Sequence, residues 1–204
     1  MNNTKTDAKS MKKQYVKSIF INAVKSIILR EGISHVTARK IGEITGYSYA
    51  TMYHYFSDLN ELFLETKLVM IQDMIQCGKE KFIQSTDPLQ LIKAQTRFPI
   101  DYYMDSPNIF EFFYCFKLDE RNEMALKSLD IEKGYWDIYL PFVEKGTIKR
   151  SDIPVIARTI MYAVYGMITL YLSNNGLTRE DIYQDMDRMI DLMLKEGKSD
   201  ENER

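Results

Sequence analysis

The amino-acid sequence predicts an all-α protein, with a three-helix head that contains a helix-turn-helix and a helical-bundle body behind it. Three observations lead to this prediction. Apolar residues recur with a period of about 3.6 residues along most of the chain. No segment alternates between apolar and polar residues over the length of a strand. Glycine, proline and capping residues separate the periodic segments and divide the chain into about nine helices.

The first predicted helix carries a continuous apolar stripe, as expected of a helix with one buried face. Gly32 follows the stripe, and glycine is the preferred residue just after a helix end. We therefore expect this helix to end at Gly32. The stripe consists of Val16, Ile19, Phe20, Ala23, Val24, Ile27 and Ile28.

Residues 37–63 are the most informative segment, because they describe two short helices joined by a tight turn. Thr37 and Ser48 suit the N-cap positions of these helices, where a side-chain oxygen accepts a backbone N–H. Gly46 falls at the turn, where glycine adopts a positive φ without strain, and Gly42 is expected to leave room for a crossing helix. The inward face of the second helix consists of Met52, Tyr55 and Phe56. This pattern is typical of a helix-turn-helix, whose second helix enters the major groove of DNA.

Capping residues and prolines mark the next predicted helices. Ser57 or Asp58 begins the fourth helix, which is expected to end near residue 84. Pro88 begins the fifth helix, since proline fits a first turn. Pro99 lies inside that helix and is expected to kink or divide it.

Two further helices are predicted in the middle of the body. The sixth begins at Ser106–Pro107 and is expected to reach about residue 118. The seventh is expected to cover about residues 121–145, and Pro141 should disturb its end.

The last two predicted helices carry apolar stripes that we expect to form a homodimer interface. Residues 151–152 begin the eighth helix, which stops at residues 174–176, and Thr178 caps the ninth with Asp181 as its capping-box partner. Packed against the same pair from a second chain, they would form a four-helix interface in which Gly166 permits a close approach. The stripes comprise residues 160, 164, 167, 168 and 171, and residues 182, 186, 189, 190 and 193.

The charge distribution separates a basic N-terminal part from an acidic remainder. Residues 1–60 contain nine Lys and Arg against four Asp and Glu, and residues 61–204 contain eighteen against twenty-five. This division suits a nucleic-acid-binding unit joined to a different kind of body. The excess of basic residues is also compatible with an ordinary solvated surface.

Composition favours a cytoplasmic protein that does not enter a membrane. Cys77 and Cys115 are the only cysteines and do not form a disulfide framework. The first ten residues are polar and charged, unlike a secretory signal. Residues 153–172 are largely apolar, but Pro154 and Arg158 interrupt the segment. The remaining uninterrupted apolar run is shorter than the roughly 20 residues that a bilayer requires. We interpret this segment as a buried interface helix.

The order of parts in residues 13–63 is also that of a known family. The parts are the long first helix, Gly32, Thr37-Ala-Arg39, Ile41, Gly46-Tyr-Ser48, Thr51-Met-Tyr-His-Tyr-Phe56 and Glu61-Leu-Phe63. On these residues the segment resembles the DNA-binding head of TetR-type (tetracycline-repressor-like) transcriptional regulators. The resemblance implies a homodimeric repressor that leaves a palindromic operator in double-stranded DNA when a small molecule binds. It also implies a DNA-binding domain of residues 1–57, with an N-terminal arm, and a ligand-binding and dimerisation domain of residues 58–204.

The resemblance also implies a set of DNA-binding residues, with two departures. The family often has Lys-Gly where this chain has Tyr49-Ala50, and it tends to have lysine at the position of Leu59. The four lysines between residues 5 and 13 could replace part of that charge, or they could simply be solvated. The implied DNA-binding residues are Thr37, Arg39, Ser48, Tyr49, Ala50, Thr51, Tyr53 and His54.

Aromatic residues are concentrated in the predicted body. Residues 98–142 contain twelve of the chain's twenty-five aromatic residues. These rings could form a plain core, or they could line a pocket for a small apolar or aromatic molecule. Asp101, Asp105 and Glu111 lie among them and either attract a lipophilic cation or form a solvated helix face. The expected ligand-binding residues are Tyr103, Phe110, Phe113, Tyr114, Trp136 and Tyr139.

Few residues suit catalysis, and we expect no catalytic residue, no metal and no cofactor. His35 and His54 are the only histidines, and both lie in the head, which excludes a His-based triad or metal site in the body. There is no glycine-rich phosphate loop. Two alternatives to a ligand-responsive regulator stay open. One is a constitutive or architectural DNA-binding protein without a ligand, and the other is an all-helical enzyme.

Overall fold

The structure, a computed structural model, describes residues 3–81, 85–119 and 133–194. Every regular element in these ranges is helical, which confirms the predicted all-α class. The described α-helices are α1 (Asn3–Glu31), α2 (Ala38–Thr45), α3 (Tyr49–Tyr55), α4 (Leu59–Lys81), α5 (Pro88–Asp105), α6 (Pro107–Phe110), α7 (Leu140–Glu144), α8 (Ile153–Leu172) and α9 (Arg179–Leu194). The shorter helical turns are Ile33–His35, Glu111–Cys115, Lys133–Tyr139 and Arg150–Asp152.

The chain forms two compact units that do not follow a single cut in the sequence. The described part of the first unit consists of residues 3–77 and 106–119, and that of the second consists of residues 78–81, 85–105 and 133–194. The first unit therefore contains α1 to α3, most of α4, and α6, whereas the second contains α5, α7, α8 and α9. The predicted functional division after residue 57 stays a prediction.

The core of the first unit is built on the apolar stripe of α1. This helix packs against α2, α3 and α6. Phe20 is fully buried, and its ring centroid lies 5.5 Å from that of Tyr47 and 6.1 Å from that of Phe56. Burial of one such side chain stabilises the fold by about 1.5–3 kcal/mol. The stripe confirms the predicted buried face, and α1 ends as predicted just before Gly32.

Capping residues fix the start of α4 as predicted. The Asp58 carboxylate accepts the backbone N–H of Glu61 at 2.8 Å, and the Glu61 carboxylate accepts the backbone N–H of Ser57 at 2.6 Å. The hydrogen bond from Ser57 lowers the pKa of Glu61 below its usual value. Two ion pairs from α1 to α4, Lys17–Glu65 and Lys25–Asp73, hold these helices along their length.

The second unit is built from α5, α8 and α9, which pack on one another. The buried positions of α8 and α9 belong mostly to the stripes that the sequence analysis assigned to a dimer interface. The six buried stripe residues therefore form the core of one chain, which corrects their assignment to an intermolecular contact. The predicted dimer interface through α8 and α9 itself stays a prediction. The fully or nearly fully buried side chains are Ile92, Ile100, Tyr103, Ile160, Val164, Ile168, Ile182, Met186 and Ile190.

Polar contacts join α5 to α9 at the surface of this core. The Arg179 guanidinium donates to Asp101 at 3.1 Å and to Asp105 at 2.5 Å, and the Tyr183 hydroxyl also donates to Asp101. These two carboxylates therefore serve an ion pair within the unit, and Asp105 raises the pKa of Arg179 further above its already high value. Two more pairs, each 2.6 Å long, are Lys93–Asp191 and Arg97–Asp187.

Three predicted helix boundaries differ from the structure. Pro99 does not divide α5, which is continuous from Pro88 to Asp105 and has buried residues on both sides of the proline. The sixth helix does not reach residue 118, because after Phe110 it widens into the π-helical turn Glu111–Cys115. Pro141 lies in the first turn of α7, where proline is tolerated, and not at the C-terminal end of a long helix. Of the predicted seventh helix, residues 121–132 lie outside the described residues.

The end of α8 and the start of α9 confirm the predicted signals. Asn174 and Gly176 have φ values of 55° and 82°, which end α8. The Thr178 backbone N–H donates to the Asp181 carboxylate at 2.8 Å, and the Asp181 N–H donates to the Thr178 hydroxyl at 3.1 Å. This reciprocal pair is the predicted capping box.

By length and composition, the segment Arg150–Leu172 is apolar enough to cross a membrane, with a mean hydropathy of 1.5. One side of α8 is buried against α5 and α9. The opposite side exposes a stripe at i, i+4, i+7, i+11 and i+15 spacing, which we call the α8 outer stripe: Val155, Thr159, Tyr162, Gly166 and Leu170.

Candidate nucleic-acid interface

The helix-turn-helix is formed by α2, the turn at Gly46 and α3. The Thr37 hydroxyl accepts the Lys40 N–H at 3.2 Å, and the Ser48 hydroxyl accepts the Thr51 N–H at 3.1 Å, which confirms both predicted N-caps. Gly46 has a φ of 71° and its N–H donates to the Gly42 carbonyl at 2.9 Å. The turn therefore closes α2 in the left-handed conformation that favours glycine.

Gly42 has a different role from the predicted one. A Cβ atom at this position would lie 3.1 Å from the backbone carbonyl oxygen of Tyr47. The small residue is therefore required by the turn that follows α2, and not by a crossing helix.

Buried apolar residues hold α3 against the rest of the head. Met52 and Phe56 are each 1% exposed, and Ile41 of α2 is fully buried. The Tyr55 ring is half-buried at 6.3 Å from the ring of Phe20, so this tyrosine faces the core as expected. With the inward residues fixed, Tyr49, Ala50, Tyr53 and His54 of α3 are exposed to solvent.

Most of the residues that the resemblance implies for DNA contact are exposed. The Arg39 side chain is 89% exposed, and the Tyr49 and Tyr53 residues are 63% and 38% exposed. Thr51 is half-buried, and its hydroxyl lies 2.8 Å from that of Ser48. The other exposed members of the set are Thr37, Ser48, Ala50 and His54. The structure brings this set to the first turn of α2 and to α3, and contact with DNA stays a prediction.

The cations of α2 are in ion pairs within the head. Arg39 contacts Glu43 one turn later at 2.9 Å, and Lys40 contacts Glu31 at the end of α1. The pair with Lys40 lowers the pKa of Glu31. Other positive charge comes from the start of α1, where the described side chains of Lys9, Lys12 and Lys13 are exposed. These residues belong to a helix that begins at Asn3, so the predicted N-terminal arm is helical from that residue onward.

The predicted ligand-binding residues fall into both compact units. Tyr103, Trp136 and Tyr139 belong to the second unit, whereas Phe110, Phe113 and Tyr114 belong to the first. Tyr103 and Tyr139 are buried, and burial raises the pKa of Tyr139 to about 12. The indole nitrogen of Trp136 is buried and has no hydrogen-bond partner. In the first unit, Tyr114 is 44% exposed and its ring packs against that of Phe110 at 5.1 Å.

One buried charged residue was missed by the sequence analysis. Lys67 is 8% exposed and donates to the carbonyl oxygens of Phe113 at 2.7 Å and Phe112 at 3.4 Å. Burial lowers the pKa of its ammonium group to about 8. The signal in the sequence is its position four residues after Phe63 and three before Met70, on the buried face of α4. In the part of the chain that the structure describes, no group of three or more His, Cys, Asp or Glu could hold a metal ion.

The whole fold is similar to solved structures of one family. No protein-family model and no curated protein matches the sequence. A TetR-family transcription regulator from Marinobacter aquaeolei VT8 is 18% identical over 89% of this chain and 97% of its own, with a TM-score of 0.63. RolR in complex with resorcinol is 15% identical over 90% of each chain, with a TM-score of 0.67. FadR from Thermus thermophilus, a TetR-family repressor in complex with lauroyl-CoA, is 13% identical over 87% of this chain and 93% of its own, with a TM-score of 0.61. The chain therefore has the fold of the TetR family of transcriptional regulators, as its helix-turn-helix residues led us to expect.

Proposed function

We propose that the protein is a DNA-binding transcriptional regulator, a homodimeric repressor that releases a palindromic operator when a small molecule binds. The observation that carries this proposal is the capped α2–turn–α3 unit. Its second helix is packed against the head through the buried side chains of Met52 and Phe56 and exposes its opposite face. In a helix-turn-helix, the first turn of such a helix contacts base edges in the major groove. Exposed lysines at the start of α1 add the positive charge that attracts phosphates.

The experiment is a selection of duplexes from a randomised library by the full-length protein, followed by binding measurements at several salt concentrations. We expect enrichment of a palindrome with half-sites about one helical turn apart, and an affinity that falls steeply with salt. Equal affinity for all duplexes would contradict a sequence-specific regulator. Binding that is specific but insensitive to every candidate ligand would favour the constitutive DNA-binding protein.

We propose that the α8 outer stripe forms the homodimer interface. Its most exposed large apolar members, Val155 and Tyr162, are 60% and 63% exposed in the single chain, and Leu192 of α9 is 81% exposed. A second copy of the chain would cover these side chains and complete a four-helix contact. Apart from its chain neighbours and the backbone of its own helix, no atom of this chain lies within 4 Å of a Cβ placed on Gly166, so the outer side of α8 is open to a partner helix. Thr159 and Gly166 within the stripe are small residues that let a partner helix approach closely.

We propose that the small molecule binds in the second unit, between α5, α8 and the turn Lys133–Tyr139. These three elements contact one another. Tyr103 and Tyr139 contribute buried rings there, and the Trp136 indole N–H is a buried donor without an acceptor. An apolar site with a few directed polar groups is typical of ligand pockets. The resorcinol bound to RolR and the lauroyl-CoA bound to FadR support a small molecule with apolar or aromatic parts, acting within a regulator and not as an enzyme substrate.

A further inference from the structure

The exposed surface of α3 is uncharged and largely aromatic. Tyr49 and Tyr53 are 63% and 38% exposed, and Ala50 and His54 are also exposed. The whole helix, YATMYHY, contains no Lys, Arg, Asp, Glu, Asn or Gln. It therefore offers a partner apolar carbon, hydroxyl groups and one imidazole ring.

Local contacts order this surface further. The Tyr49 and Tyr53 rings meet edge to face, with centroids 5.1 Å apart and an angle of 78° between their planes. The Ser48 hydroxyl is engaged by the Thr51 N–H and by the Thr51 hydroxyl, so both groups already have partners at the start of the helix. The side chains with the most unengaged surface in the first turn are Tyr49 and Ala50.

The chemistry of base recognition limits what such a surface can read. In the major groove, guanine is read by Arg or Lys, adenine by Asn or Gln, and cytosine by Glu or Asp. None of these residue types occurs in α3. Hydroxyl groups can also hydrogen-bond to bases, but Ser48 and Thr51 are paired with each other here. For the apolar carbon that dominates the exposed face of α3, the matching base feature is the thymine 5-methyl group, which is recognised by apolar contact. The exposed cation Arg39 belongs to α2 and is paired with Glu43.

We propose that α3 recognises thymine methyl groups, with Tyr49 and Ala50 as the specificity-determining residues. This inference rests on the proposed DNA-binding function. The Ala50 methyl is small enough to let the helix approach the base edge, and the Tyr49 ring, supported by Tyr53, covers the methyl from the side. Each half-site then contains at least one thymine whose methyl group, and not merely its pairing, is required for full affinity.

The test uses duplexes that the full-length protein selects from a randomised library. Each thymine in a half-site is replaced in turn by deoxyuridine, which removes only the methyl group, and the dissociation constant is measured at fixed salt. We expect at least one position at which uracil weakens binding about fourfold, the fold-change that corresponds to about 0.8 kcal/mol for one buried methyl-sized group. At that position a C·G pair should also weaken binding, and 5-methylcytosine should restore part of the loss.

Protein variants assign the effect to its residues. Tyr49→Ala and Ala50→Gly should bring the thymine-to-uracil ratio of affinities close to one, whatever they do to the absolute affinity. Arg39→Ala is the matched control: it should weaken binding and leave the ratio unchanged. Circular dichroism checks that each variant is folded, as expected for substitutions at exposed positions.

The outcomes separate this inference from the function on which it rests. Specific binding that tolerates uracil at every thymine overturns the inference and leaves the regulator intact. A wild-type ratio in both Tyr49→Ala and Ala50→Gly overturns the assignment to these residues. Failure to select any sequence overturns the proposed function, and the inference with it.

Discussion

The Lys67 ammonium group of α4 lies 2.7 Å from the backbone carbonyl oxygen of Phe113, in the helical turn Glu111–Cys115 that follows α6. Its nitrogen also lies 5.7 Å and 5.8 Å from the ring centroids of Phe112 and Phe113. A cation here complements the negative end of a helical turn and interacts favourably with the rings. The contact joins two segments of the first unit that are 46 residues apart in sequence.

Lys67 makes stability depend on pH in a defined window. Burial lowers its pKa from 10.5 to about 8 in the folded protein. Between pH 8 and pH 10.5 the unfolded chain binds more protons than the folded one, so the free energy of unfolding rises with pH. Below about pH 8 the side chain is charged in both states, and the full cost of burying the charge lowers the stability of the folded protein. Between pH 7.5 and 9.5, the free energy of unfolding of the wild type should rise by about 1–2 kcal/mol more than that of Lys67→Met.

Urea unfolding at these pH values, with Lys79→Met as the control for an exposed lysine of α4, measures this difference. Identical pH slopes for wild type and Lys67→Met would contradict a lowered pKa at Lys67.

Gly46 should tolerate asparagine better than alanine. Its φ of 71° is the main obstacle to a side chain, since apart from its chain neighbours no atom lies within 4 Å of a Cβ placed there. Alanine in the left-handed region costs about 1–2 kcal/mol, whereas asparagine adopts it more readily. Thermal unfolding should therefore rank wild type above Gly46→Asn, and Gly46→Asn above Gly46→Ala. Equal melting temperatures for the two variants would mean that the turn relaxes to another conformation.

Tyr53 is expected to contribute to specific DNA binding. Tyr53→Ala should weaken operator binding by on the order of 1–3 kcal/mol, if the side chain makes one good contact. Tyr53→Phe keeps the ring and removes the hydroxyl. A loss of operator affinity in both variants assigns the contact to the hydroxyl, and a loss of affinity in Tyr53→Ala alone assigns it to the ring. Anisotropy titrations at one salt concentration give these values. A wild-type affinity in Tyr53→Ala would remove this residue from the DNA-binding set.

A charge on the α8 outer stripe should separate the dimer without unfolding the chain. Apart from its chain neighbours and its own helix backbone, no atom of this chain lies within 4 Å of a Cβ on Gly166. Gly166→Glu therefore adds a carboxylate where the single chain has free space. Light scattering at micromolar concentration should report a monomer, and operator affinity should be lost at the same time. Gln72→Glu adds the same charge at an exposed position of α4 and should change neither property. A Gly166→Glu protein that stays dimeric would place the interface elsewhere.

The helix-turn-helix could be predicted in detail because its signals are local. Thr37, Gly46 and Ser48 act within four residues of themselves, through caps and a positive φ, so their roles follow from the sequence. Long-range burial could not be predicted in this way. The apolar positions of α8, such as Ile160 and Ile168, are compatible with either a core or an interface, and packing on α5 and α9 decides the matter. Lys67 shows the same limit, because its acceptors on Phe112 and Phe113 are distant in sequence.

Trp136 allows a direct test of the proposed ligand site and of its coupling to DNA. It is the only tryptophan, and its buried indole N–H has no partner, so a ligand with a hydrogen-bond acceptor should alter its emission. A ligand shifts the protein between two states only by its difference in affinity for them. Coupling of about 1–3 kcal/mol would weaken operator binding about 5- to 150-fold.

Apolar and aromatic compounds are titrated into the protein–operator complex while emission and operator release are followed together. Trp136→Phe removes the signal, and it should weaken ligand binding while leaving operator affinity without ligand unchanged. A change in emission without release of DNA would leave a pocket that does not act as a switch. No change with any compound, together with undiminished operator binding, would identify Tyr103, Trp136 and Tyr139 as core residues of a constitutive DNA-binding protein.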